Sequence, residues 1–189
     1  MTSILKVDNI QKANGSTPTA SDLGINTTGA VLQVKYYQRT TSQTTAYPTT
    51  NTDMIIPNFN INITPASTSS IIKLEANIMF ESANELEDTM WFFYRDTTKL
   101  GNTEPSPGNR RIGISPTLIS YWAQNNNSTP EFSTITYFDT PSSTSEINYK
   151  LGVNANGTSN IFINRCIADI DNASNDRGVS FISVTEIGG

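Results

Sequence analysis

Ser70–Phe80 reads SIIKLEANIMF. Taken two residues at a time, Ile72, Leu74, Ala76, Ile78 and Phe80 share one parity, and Ile71, Lys73, Glu75, Asn77 and Met79 share the other. Successive side chains of a strand point to opposite faces, so this stretch predicts a strand with one dry and one mostly wet side. Each large side chain buried there contributes about 1.5–3 kcal/mol. A dry face of this length needs a second sheet to cover it, and most of the chain has the pattern to supply one.

On both sides of this stretch the same period recurs. Upstream, Ala30–Gln38 (AVLQVKYYQ) alternates, and so do Phe59, Ile61 and Ile63 in FNINIT. Pro65–Ser69 then connects FNINIT to SIIKL, which predicts a hairpin with a five-residue connection. Downstream, TMWFFYRD (Thr89–Asp96), Ile112–Ile114, Leu118–Ala123, Phe132–Asp139, the run through Ile147, Tyr149, Leu151 and Val153, Ser159–Arg165 and VSFISVTEI (Val179–Ile187) read as strands. Asn154–Gly157 (NANG) predicts a second hairpin, and Glu81–Asp88 at most a helical turn through Ala83, Leu86 and Met90. Eight to ten short strands with polar turns between them predict an all-β fold, an antiparallel two-sheet jelly-roll sandwich. Residues 30–189 form the expected head domain. Residues 1–29, thin in apolar side chains and rich in Gly, Ser and Thr, are expected to form an extended arm that orders on a partner. Ile4, Leu5, Val7 and Ile10 are its candidate anchoring and oligomerisation residues.

Composition narrows the function classes. The 189 residues include only 15% charged side chains and carry a net charge of −5, with no basic stripe of the kind nucleic-acid binding requires. Arg110-Arg111 is the only adjacent basic pair and is expected in a solvated loop. No apolar run reaches the roughly 18–20 residues that span a bilayer. MTSILKVDNIQK lacks the apolar core of a secretory signal, so the expectation is a protein made in a cytoplasm that stays there or leaves by lysis inside a larger particle. There is no histidine, which removes Ser-His-Asp and Cys-His catalysis and every His-ligated metal. The single cysteine, Cys166, is expected buried and inert. No enzyme activity and no cofactor are expected.

Four stretches, taken in order, carry a resemblance: ITPASTSSIIKLEANIMFE, FFYRDTTKLG, FDTPSSTSEINYKL and IFINR followed by DNASNDRGVSFISVTEI. The chain resembles over residues 55–189 the C-terminal heads of virion and tail-fibre proteins of marine tailed bacteriophages, cyanophages among them. SILKVDNIQKANG resembles the short starts of such proteins. The resemblance implies a jelly roll similar to the trimeric C1q and tumour-necrosis-factor heads, and homotrimers exposed on a particle. The shaft of a long tail fibre has no counterpart before residue 30, so a short fibre, knob or capsid decoration fits better. Other virion proteins of the capsid or tail would be the partners, and a host surface glycan a further one.

Trp91, Phe92 and Phe93 are consecutive and must face both ways, which makes Trp91 and Phe93 candidates for a trimer seam. Tyr47, Tyr121 and Trp122 lie in or beside loops and are the candidate ligand-loop aromatics. Asp169, Asp171, Asn172 and Asp176 lack the Gly of a calcium loop and read as an Asp/Asn-rich turn. Glu81, Glu85, Glu87 and Asp88 read as a solvated acidic loop rather than a glycosidase pair. A free carbohydrate-binding module is the alternative function.

Overall fold

The computed structural model describes residues 9–19, 21–25, 27–47, 49, 51–82, 89–105, 108–117 and 128–189. Among them are one 3-10 turn, Ser21–Leu23, and eleven strands: β1 (Val31–Arg39), β2 (Gln43–Tyr47), β3 (Met54–Ile63), β4 (Ile71–Ser82), β5 (Met90–Arg95), β6 (Thr98–Leu100), β7 (Ser115–Pro116), β8 (Glu131–Asp139), β9 (Ile147–Asn154), β10 (Ser159–Ile163) and β11 (Ser180–Ile187).

The pairings have a simple order. The first strand pairs the last, β1 with β11; then β3 pairs β9, β4 pairs β8 and β5 pairs β6, all antiparallel. This is the order of one long hairpin rolled up on itself, the jelly roll. Rolling leaves β1, β11, β4 and β8 in a first sheet and β3, β9, β5 and β6 in a second, with β2 and β10 extending the first and β7 on β5.

The core lies between the sheets. Ile72, Leu74, Ala76, Ile78 and Phe80 of β4 are at most 1% exposed, so the dry parity is the inward one. They meet Phe59, Ile61 and Ile63 of β3, Trp91 and Phe93 of β5, and Tyr149, Leu151 and Val153 of β9. Phe80 and Trp91 touch edge to face across the sheets, with ring centroids 5.1 Å apart. At one end Asp139 of β8 reaches over to the second sheet. It accepts bonds from Arg95 at 2.9 Å and from the Tyr149 hydroxyl at 2.6 Å. Burial and the Asp139 carboxylate both push the Tyr149 phenol far above its ordinary pKa, so it donates as a neutral hydroxyl.

The ends of two strands lie in one line. β4 pairs β11 along Ile71–Asn77 and β10 along Phe80–Ser82, both antiparallel. β10 and β11 are therefore one interrupted strand, and residues 164–179 are an excursion from it. Asn164, at φ +60°, closes the base: its backbone N–H donates to Met79 O, its amide to the Arg39 and Thr41 carbonyls, and its Oδ1 accepts from Ser180. Those two carbonyls stand at the end of β1 and in the matching break between β1 and β2.

Three expectations are corrected. FNINIT and SIIKL are not a hairpin, because β3 lies in the second sheet and β4 in the first. β9 and β10, on either side of NANG, likewise cross from one sheet to the other. Both connections arch over the core, a choice that alternation within a strand leaves open. Ile112–Ile114 is not a strand, and pairing there is limited to Ser115–Pro116; Leu118–Ala123 lies outside the described residues, as do Ala83 and Leu86.

Candidate functional site

Several predicted site residues are structural. Tyr47 is 1% exposed; its hydroxyl donates to Thr52 O at 2.5 Å and accepts from Ala155 N at 2.8 Å. It is a core residue that ties β2 to the end of β9, not a ligand-loop aromatic. Trp91 and Phe93 are fully covered by their own chain, so neither is a trimer-seam residue. The two-faced burial that three consecutive aromatics demand is met internally. Phe92 points outward and is capped there by Lys99, whose Nζ lies 3.9 Å from the ring centroid, and by the edge of Tyr94. It lies over Gly152, where a Cβ would stand 2.2 Å from the ring. Ile4, Leu5, Val7, Tyr121 and Trp122 lie outside the described residues. Ile10 is half exposed, as are Leu23 and Ile25 in the stretch that leads to the first strand.

Glu81 is not solvated. It is 2% exposed and accepts from Thr129 N, Thr129 Oγ1 and Ile167 N, which fastens two loops to the end of β4. Glu85, Glu87 and Asp88 lie outside the described residues. The Asp169 carboxylate is engaged by Arg177 at 2.9 Å and Arg165 at 3.3 Å. Cys166 is buried. Burial raises its thiol pKa, the charges of Glu81, Asp176 and Asp169 add to that, and the Asp176 amide bond works the other way. The thiolate, the reactive form, is disfavoured.

Two surfaces stand out instead, one on each sheet. On the first sheet the register places Tyr36, Ser183, Glu75 and Thr136 in one row across the outer face, and Val34, Thr185, Lys73 and Phe138 in the next. Tyr36 is 74% exposed, Phe132 60%, Phe138 57% and Val34 55%, with Phe181 beside them. The charges in these rows, Lys73 and Glu75, pair with each other at 2.8 Å. The edge strands β1 and β8 bound this face. The corresponding outer positions of the second sheet carry Asn60, Asn62, Asn148 and Lys150. Single exposed apolar residues are ordinary; here they stand at both margins of one sheet face, Val34 and Tyr36 on β1 and Phe132 and Phe138 on β8, with Ser183, Thr185, Lys73 and Glu75 between them, which makes the face a candidate contact surface.

On the second sheet a cleft of about 600 Å³ is lined by Asn51, Asp53, Lys99, the stretch 108–112 and Asn154. Asp53 Oδ1 accepts from Lys99 at 2.9 Å and from the Asn154 amide at 2.7 Å. The Arg110-Arg111 pair, expected in solvent, lines this cleft, and Arg111 donates to Asn51 Oδ1. A run of two arginines gives no signal for this by itself; only the fold brings β3, β6 and β9 beside it.

No protein-family model matches the chain, and no curated protein matches it. Among solved structures the chain is similar to the infectious bursal disease virus VP2 subviral particle, at 10% identity and a TM-score of 0.36 over 84% of this chain and 42% of that one. The chain thus spans less than half the length of that structure. No helix among the described residues is long and apolar enough to cross a membrane.

Proposed function

We propose that this chain is a non-enzymatic structural subunit of a tailed-phage virion, a homotrimeric knob or short fibre whose copies meet through the outer face of the first sheet. The exposed set Val34, Tyr36, Phe132, Phe138 and Phe181 carries this reading. The proposed occupant is a second copy: the charges in the two rows, Lys73 and Glu75, cancel, so copies of a chain of net charge −5 meet there without charge repulsion. The N-terminal 29 residues anchor the subunit to the particle, and the head turns its polar second sheet towards a host surface.

Light scattering of the purified chain tests the reading. A trimer is expected, and the double variant Y36K/F138K should give monomers with an unchanged far-UV circular dichroism spectrum. A wild-type monomer at all concentrations overturns it. A second reading, a free carbohydrate-binding module, rests on the polar cleft of the second sheet; a monomer that binds glycans would favour it.

A further inference from the structure

We infer that β1 of one copy pairs with β8 of the next, so that the first sheet runs on from copy to copy and its apolar margins close against each other. The contact rests on the subunit reading: there the copies meet on the outer face of the first sheet, and here they meet along its two edges. Among the described residues β1 pairs only β11 and β8 only β4, and no other hydrogen bond reaches the backbone of residues 32–38 or 132–138. Each strand therefore keeps one side of its backbone ladder open, a template for a further strand. Both strands are nine residues long. Within their own sheet they run antiparallel to each other, since three antiparallel pairings separate them. A ring that turns about an axis along the strands keeps that sense, so the two ladders, each about 30 Å long, match over their length.

The layout of the face favours this contact over a stack. Its exposed apolar side chains stand at the margins, Val34 and Tyr36 on β1 and Phe132 and Phe138 on β8, while Ser183, Thr185, Lys73 and Glu75 fill the middle. Stacking two faces would bury that polar middle. Joining edge to edge brings the two apolar margins together as cross-strand neighbours and leaves the middle in water. The sign of the charges then selects which edges meet. β1 carries Lys35 and Arg39 and no acidic residue; β8 carries Glu131 and Asp139 and no basic one. Asp139 is already matched by Arg95, so Lys35, Arg39 and Glu131 make the contrast. Lys35 is exposed and lies opposite the buried Val184, at the inward parity of the edge. A lysine there repels a like edge and tolerates an acidic one. β1 against β1, or β8 against β8, sets like charges side by side, whereas β1 against β8 joins opposite ones. That contact is heterologous, since each copy offers one edge of each kind, and a heterologous contact closes into a ring. Three copies make the ring of the proposed homotrimer, and the second sheet takes no part in it.

Light scattering of the full chain and of two single variants, one on each margin, tests the pairing. Y36K damages the β1 edge and F138K the β8 edge; both positions are exposed, and circular dichroism confirms the fold of each variant. Every contact of the ring uses one edge of each kind, so each variant alone should lose the wild-type trimer and run as a monomer of 20.7 kDa. Mixed one to one, the two variants still hold one intact β8 and one intact β1 between them, and should form a heterodimer of twice that mass. A stack of whole faces leaves the mixture monomeric, and pairing of like edges lets one of the variants assemble by itself. Either result beside a wild-type trimer overturns the edge pairing and leaves the trimer standing. A wild-type monomer overturns the subunit reading and the edge pairing with it.

Discussion

Glu186 shows how much one side chain decides when water is excluded. It is fully buried on β11; its Oε1 accepts from Ala66 N and Ser70 Oγ, and its Oε2 from Gln33, each at 2.6 Å. Burial pushes its carboxyl pKa up, but bonds from Ser70, Gln33 and the Ala66 and Ser67 amides outweigh that and hold it below the ordinary 4.5. A depressed folded pKa stabilises above the unfolded value and is lost as pH falls through the folded one. E186Q should therefore destabilise by about 1–3 kcal/mol at pH 7. The gap to wild type should shrink as pH drops below 4.5, read by urea unfolding at pH 7 and pH 3; an equal gap at both would refute this account. Tyr47 offers a second test. Y47F keeps the ring but strands the Ala155 N–H, and should cost about 1–3 kcal/mol with no effect on assembly.

At the scale of the element, β4 was legible from Ile71 to Phe80, while its last residues, Glu81 and Ser82, read as part of an acidic turn. Its inward residues were named by period alone, because a half-buried strand imprints its two environments on alternate positions. L74A should cost about 2–5 kcal/mol in chemical denaturation, since the removed atoms leave a cavity between packed sheets. The interrupted β10–β11 strand was not legible, since its halves are separated by a polar excursion that reads as an ordinary loop. The residue that closes it, Asn164, combines a left-handed backbone with a side chain bonded to two segments and a backbone N–H bonded to a third. N164A should cost about 1–3 kcal/mol and increase hydrogen exchange at Met79 and Ser180 before the rest of the sheet.

For the whole molecule, the asymmetry of its two outer faces matters most. One carries exposed Val34, Tyr36, Phe132 and Phe138 around the paired Lys73 and Glu75, the other Asn60, Asn62, Asn148 and Lys150. The proposed assembly through the first face would be driven by apolar burial, so the mass of the assembly by light scattering should persist in high salt. Deleting residues 1–29 should leave a folded head that no longer joins particles, scored by copy number on purified virions; normal incorporation would count against the anchoring arm.

From the sequence alone came the all-β class, the jelly-roll expectation and the inward parity of β4, because burial on one side of a pleated strand writes a local pattern. Which strands are neighbours was decided only in three dimensions: β3 and β4, adjacent in the chain, went to opposite sheets, and β1 found β11 at the far end. Trp91 and Phe93 turned from seam to core for the same reason. The cover over Phe92 comes from Lys99 and Gly152, and no spacing along the chain records a contact made by folding.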